Sequence, residues 1–237
     1  MLDETFYLDG ISAKSIGVYL QSPIEFSEPI PICESESIPG RNGDLIFETN
    51  AFENRSGEAK CYAMLHERVD MSIRAINRFL LSKRGYRKLE TSDDPEHYWM
   101  ARVENGARIE QRLRTLSPFD ISFDCKPQRF VKSGNEPILF NENGILYNQY
   151  GFPALPLITV YGSGDGELTI GEKTILIRSI PDVICLDSDT QNAYNEDGNQ
   201  NIRVHAPEFP VLEDGENAIV MRGGIERLEI IPRWWEL

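Results

Sequence analysis

The sequence predicts a mostly β protein of two domains: a β-rich N-terminal domain braced by one α-helix, and a C-terminal β-sandwich. Three observations lead there. Only residues 70–85 carry a sustained helical period, and short alternating segments punctuated by glycine and proline fill the rest. Between about Lys126 and Leu155 the texture changes, because Pro127, Gly134, Pro137, Gly144, Gly151, Pro153 and Pro156 gather there with little periodicity. The predicted domains are therefore 1–130 and 131–237.

In chain order, residues 6–20 read as two short strands punctuated by Gly10 and Gly17. Pro23, Pro29, Pro31 and Pro39 follow, with Pro39, Gly40, Arg41, Asn42, Gly43 and Asp44 forming a tight turn. Proline flanks around such a turn predict an extended arm, Ser22–Phe47, rather than a compact sheet. Strands are expected at Leu45–Phe47 and Glu58–Met64. The helix comes next. Val69, Ile73, Ile76 and Leu80 recur at helical spacing and Phe79 widens the apolar stripe. Asp70 is the expected N-cap and Gly85 the left-handed stop. Lys83, Arg84, Arg87 and Lys88 collect at the carbonyl end, where cations favour the dipole. Arg74 and Arg78 lie off the stripe, free to meet solvent or another subunit. Strands resume at Tyr86–Glu90, Tyr98–Val103 and Phe119–Cys125, the last two with half-buried alternation.

Beyond the boundary, short strands are predicted at Leu157–Tyr161, Glu167–Ile170, Lys173–Ile177, Val183–Asp187, Asn201–His205, Asn217–Met221 and Arg227–Ile231. Gly171 makes a hairpin of the second and third. Seven short strands without a helix point to a sandwich.

Composition bounds the function. The 237 residues are 41% hydrophobic and 26% charged, an ordinary globular balance. No apolar run approaches the ~18 residues of a membrane span. The acidic opening Met1–Thr5 lacks a basic region and an apolar core, which predicts a chain kept in the cytoplasm unless a larger assembly carries it out. The formal charge is −14; residues 1–130 hold 17 basic and 21 acidic residues, and 131–237 hold 7 and 17. Such a surface excludes nucleic-acid binding by general electrostatics, since each phosphate contact needs a cation. Cys33, Cys61, Cys125 and Cys185 are scattered singly and read as small buried core residues. The three histidines, His66, His97 and His205, lack zinc-site spacing.

Candidate chemistry is sparse. Gly162-Ser163-Gly164-Asp165-Gly166 has the glycines of a phosphate loop but neither its Lys-Ser/Thr ending nor a following helix, so a hairpin turn is expected. Asp187-Ser188-Asp189 with Asn192, Asp197, Asn199 and Asn201 suggests calcium. However, Asn192 stands where an EF-hand needs glycine and Gly198 where it needs glutamate. No nucleophile elbow or His-Glu-x-x-His pattern occurs, so neither an enzyme nor a cofactor is predicted. Trp99, Trp234 and Trp235 either anchor cores and contacts or stack on sugars.

Several spaced phrases taken together resemble the distal tail protein family of siphophages. In the first half these are Phe6–Ile11 with Gly17-Val18, Ile38–Gly43, the helix, Tyr98–Val103 and Phe119–Cys125. In the second half they are Asn148–Pro156, Tyr161–Gly164, Phe209–Ile219 and Ile231–Trp235. Their order across nearly the whole chain carries the resemblance. It implies an N-terminal domain that closes into a homo-hexameric ring at the virion tail tip, and a galectin-like C-terminal sandwich. Its implied partners are the tail-tube protein, the tape measure protein and a tail-associated spike or fibre protein. In some relatives inserted arms hold receptor-binding proteins; this shorter chain resembles the minimal hub. On this reading Pro39–Asp44, Arg74 and Arg78 are the expected oligomer contacts. The alternative is a carbohydrate-binding module for host adhesion, with Trp234 and Trp235 as the sugar contacts.

Overall fold

A computed structural model describes residues 4–64, 69–106 and 116–237. The chain divides into two compact units, Met1–Arg129 with Leu237, and Phe130–Glu236.

Among its described residues, the first unit holds one large antiparallel sheet, a separate two-stranded sheet and one α-helix. The strands of the large sheet run in the order Ile11–Ser12, Phe6–Leu8, Arg87–Thr91, His97–Val103, Leu116–Val131, Arg55–Met64, Val18–Leu20. The two strands at its opposite edges are joined by a single 3-10 turn, Ala13–Ile16. A four-residue link between opposite edges is possible only if the sheet curls round on itself, as twisted sheets do when they close. Residues 6–20, two strands on the sequence pattern, are thus three short strands and this turn.

Alternation builds the core. Along Arg55–Met64 the residues Gly57, Ala59, Cys61 and Ala63 point inward, and Gly57, Ala59 and Cys61 face Phe123, Ile121 and Phe119 of the neighbouring strand. Small residues opposite large ones let the two rows interdigitate. The helix spans Val69–Leu81 and packs Ile76, Phe79 and Leu80 into the same core, with Ile73 half-buried. The side chain of Val69 lies outside the described residues. The Phe6 ring stands 6.2 Å from that of Phe79 and 5.9 Å edge-on from that of Phe123, joining helix to sheet. The helix starts one residue before Asp70, which places Asp70 in the first turn rather than at the N-cap. Gly85 is left-handed, with φ +83°, but the helix has already ended at Leu81.

The second unit depends on three long strands, Leu157–Ile170, Lys173–Asp187 and Gly215–Ile231. Each contributes to both layers of a sandwich. Leu157–Gly162 pairs with Asp182–Asp187 and with Ile225–Ile231, whereas Gly166–Ile170 pairs with Lys173–Ile177 and with Ile219–Gly223. The register shifts between Gly162 and Gly166 on the first strand. The sequence between them is therefore a bend inside one strand, not the expected hairpin turn. The reason is steric. A Cβ on Gly162 would overlap the carbonyl oxygen of Gly224, and one on Gly224 the carbonyl oxygen of Ser163. Bare backbones cross where the sheet folds over. The true hairpin lies at Gly171, between Ile170 and Lys173, as its position predicts.

Folding over brings Ile158, Val160, Ile184, Leu186, Leu228 and Ile230 of one layer onto Leu168, Ile170, Ile175, Ile177 and Ile219 of the other. Ile138–Phe140 and Gly144–Asn148 add to these layers by pairing with the third long strand. Both fall in the stretch whose weak periodicity marks a boundary, and their order comes from that pairing. Asn148 illustrates it: buried, its Nδ2 donates to the carbonyls of Phe152 at 2.8 Å and Leu212 at 3.1 Å. The strand expected at Asn201–His205 is a 3-10 turn, Asn201–Arg203, with only Val204–His205 paired.

Candidate functional site

The feature that needs explaining most is the arm. Pro31–Glu36 and Leu45–Phe52 form a two-stranded antiparallel sheet that belongs to neither larger sheet. Glu34 faces Phe47, Ser35 faces Ile46 and Glu36 faces Leu45 across it. Thr49 Oγ1 donates to the Ile32 carbonyl at 2.7 Å and the Glu53 N–H to that of Ile30 at 2.9 Å. All six residues of Pro31–Glu36 are exposed, so neither face lies on the chain's own core.

The apolar side chains are what make this unusual. Ile46 is 62% exposed and Phe47 49%, with Ile30, Ile32 and Ile38 also open. A lone hairpin is marginal in water, and one with apolar groups on both faces gains stability by covering them. The sequence signal for this surface is Leu45-Ile46-Phe47, a continuous apolar run between polar neighbours, which by itself predicts only a strand.

The predicted contact residues fall on two separate elements. Pro39, Gly40, Arg41, Asn42, Gly43 and Asp44 cap the arm, all exposed, with the Arg41 N–H donating to the Ile38 carbonyl at 3.1 Å. Arg74 and Arg78 are partners in no ion pair among the described residues; Arg74 is exposed on the outer side of the helix with Met71, and Arg78 lies one turn further along it.

The cations at the helix end do divide their work. Arg87 is buried and its Nη1 donates to the Phe79 carbonyl at 2.6 Å, capping the last turn. Its Nε and the Lys83 ammonium both bind Asp9 Oδ2, at 3.0 and 2.8 Å. Burial works against the Asp9 carboxylate, but hydrogen bonds from Lys83, Arg87 and the Lys88 N–H outweigh it and hold the carboxyl below its ordinary value. At the other end of the Arg87–Thr91 strand, Asp94 accepts from both Arg129 and His97, and Phe26 stacks on Trp99 at 4.3 Å.

Other candidates resolve differently. Trp234 is 6% exposed in the second core, which leaves no free face for a sugar. Trp235 is half-buried, stacked on Phe152 at 4.6 Å with Nε1 donating to the Pro153 carbonyl. Trp234 therefore acts as a core anchor, while Trp235 stays partly exposed beside Phe152. Asp187, considered for calcium, receives Arg233 at 2.7 Å instead. Burial pushes the Cys61 and Cys125 thiols up to about 12, as core residues. Cys33 departs from that expectation, since it lies exposed on the arm. Among the described residues no His, Cys, Asp and Glu cluster is suited to a metal.

Residues 11–125 match the family model of the phage tail protein RIFT-related domain. No curated protein matches the sequence. Among solved structures, the chain is similar to the SPP1 Dit (gp 19.1) protein, described as a paradigm of the hub adsorption apparatus in phages infecting Gram-positive hosts. The two are 12% identical, with 96% of this chain and 97% of that one covered and a TM-score of 0.73. The shared fold extends through both units, while the family match lies in the first. Residues 11–125 thus resemble the phage tail protein RIFT-related domain, and the chain as a whole shares the fold of the SPP1 Dit protein.

Proposed function

We propose that this structural protein of the phage tail tip works as the subunit of a homo-hexameric baseplate hub. The first unit closes the ring, which joins the tail-tube protein and the tape measure protein on one side to a tail-associated spike or fibre protein on the other. The observation that carries this is the arm, with Ile46 and Phe47 exposed on opposite faces among the described residues. A ring of identical subunits closes through a heterologous contact, one patch on each copy meeting a different patch on the next. A projecting hairpin fits that demand: its Pro39–Asp44 tip and apolar strands reach a neighbour, and Arg74 and Arg78 offer that neighbour cations.

Native mass spectrometry of the purified chain, with negative-stain imaging, tests the reading. A six-fold ring with a central opening is the expected result, and deletion of residues 38–44 is expected to shift it towards monomer. A monomer at high concentration, or a hexamer indifferent to the deletion, refutes the ring or the role of the arm respectively.

A further inference from the structure

We propose that the outer face of the second unit holds a saccharide-binding groove, floored by Tyr161 and Tyr194 and rimmed by Asp182, Glu196 and Asp197. This goes beyond the hub role and uses none of its residues. A cavity of about 650 Å³ opens there, within the size range of small-ligand clefts.

The sheet register places the floor. Thr159 faces Cys185 and Cys185 faces Tyr194, while one row along Tyr161 faces Val183. Side chains two residues apart share a face, so both tyrosines stand on the side of the sheet away from the Ile158, Val160, Ile184 and Leu186 core. The Arg227 guanidinium lies 4.0 Å from the centre of the Tyr161 ring and 3.6 Å from the Glu229 carboxylate, which steadies the ring.

The rim is held in advance. Asn195 Oδ1 accepts the Asp197 N–H at 3.0 Å and Gln200 Nε2 at 2.9 Å. Gln200 Oε1 in turn accepts Arg203 Nε at 2.8 Å, and Arg203 Nη1 donates to the Ser179 carbonyl at 2.8 Å. This chain ties the Asn195–Asp197 turn to the bend that presents Asp182. A prearranged rim loses little entropy on binding.

Chemistry selects the occupant. Asp182, Glu196 and Asp197 are exposed and form no ion pair among the described residues. Carboxylates only accept, so the ligand must donate. Their shared charge repels phosphates and carboxylates. A purely apolar ligand would strip them of water without return. The two tyrosines offer flat apolar faces with hydroxyl tips. A sugar ring presents both a C–H face and outward hydroxyl donors, and an uncharged or amino sugar meets every demand. The carboxylates alone would not make a site; the cavity and its aromatic floor do.

Saturation-transfer NMR on the full chain tests this, with glucose, galactose, N-acetylglucosamine, glucosamine and a phosphorylated glucose each at about 10 mM, suited to the millimolar affinity of a single sugar. Transfer to at least one unphosphorylated sugar is expected, and none to the phosphorylated one. Tyr194→Ala is expected to abolish it and Tyr194→Phe to retain it. Asp197→Asn, on an exposed turn that tolerates substitution, is expected to weaken it about tenfold. Circular dichroism confirms that each variant is folded. Absence of transfer from all four unphosphorylated sugars overturns the proposal, as does transfer unchanged in Tyr194→Ala and Asp197→Asn, or equal binding of the phosphorylated glucose.

Discussion

Arg87 Nε lies 3.0 Å from Asp9 Oδ2, while Nη1 of the same guanidinium lies 2.6 Å from the Phe79 carbonyl oxygen. One buried cation thereby fastens the turn after the first strand to the last turn of the helix. Arg87→Met keeps the packing of the stem but leaves Asp9 with Lys83 as its side-chain partner and the helix end uncapped. We expect a loss of about 2–4 kcal/mol in urea unfolding, the scale for breaking a buried pair. Lys83→Met, at a side chain 64% exposed, should cost under about 1 kcal/mol. Equal costs for the two would mean that burial does not govern the cluster.

The helix itself is a packing element first. Ile76 is fully buried between the stripe residues and the sheet, so Ile76→Asp places an unpaired charge in the core. The first unit is expected to lose its near-ultraviolet circular dichroism. A cooperative thermal transition unchanged from the parent would contradict the packing described.

Charge on the other side of the helix tests assembly instead of folding. Arg74→Glu with Arg78→Glu changes two positions outside the core, where substitutions usually shift stability by no more than about 0.5 kcal/mol. The melting temperature should hold while ring formation in sedimentation velocity weakens. Rings of unaltered stability would leave the helix as a brace and nothing more.

The acid limb of stability should be steep. In Asp9, Asp94 and Asp187 burial alone would raise the carboxyl, yet hydrogen bonds from Lys83 and Arg87, from His97 and Arg129, and from Arg233 leave each below its ordinary value of 3.8. A folded value below the unfolded one means that the unfolded chain binds more protons as pH falls. The stabilisation is therefore complete above the unfolded value and is lost as pH falls through the folded ones. Thermal unfolding followed from about pH 6 to about pH 2.5 should show a flat region and then a fall below about pH 4, the ordinary carboxylate range. Asp187→Asn should soften that fall. A decline centred near neutrality would point to other groups.

At the bend of the second unit, Gly224→Ala forces a methyl against the Ser163 carbonyl oxygen, a backbone atom that cannot swing aside. A loss of about 3 kcal/mol is expected, at the upper end for overpacking. Gly151→Ala serves as the comparison: its φ of +77° makes it strained, but open space surrounds it. A cost near about 1 kcal/mol is expected there, the usual left-handed penalty. If the order of the two were reversed, close backbone approach would not be what requires glycine at the bend.

Period and punctuation in the sequence determined the mostly β class, the single helix with its inward Ile76, Phe79 and Leu80, and the alternation along Arg55–Met64 and Phe119–Cys125. These signals are local, since apolar spacing reports which face a segment buries whatever the segment packs on. The arm was legible in part: prolines around Gly40 and Gly43 mark a projecting segment, but of the expected Ser22–Phe47 the stretch Glu25–Phe26 pairs into the first sheet, and the arm's second strand runs on to Phe52. Tertiary structure decided the rest. That Gly162–Gly166 bends one strand rather than turning between two depends on Gly224, some sixty residues away. The strands at Ile138–Phe140 and Gly144–Asn148 exist through pairing with Gly215–Ile231, which no window across the boundary contains. Trp234 could be an anchor or a sugar platform until the core closed over it, and Tyr161 and Tyr194 stood apart until register set them on one face. A sequence states what each segment prefers to bury; which distant backbone or side chain meets it is settled only when the chain folds.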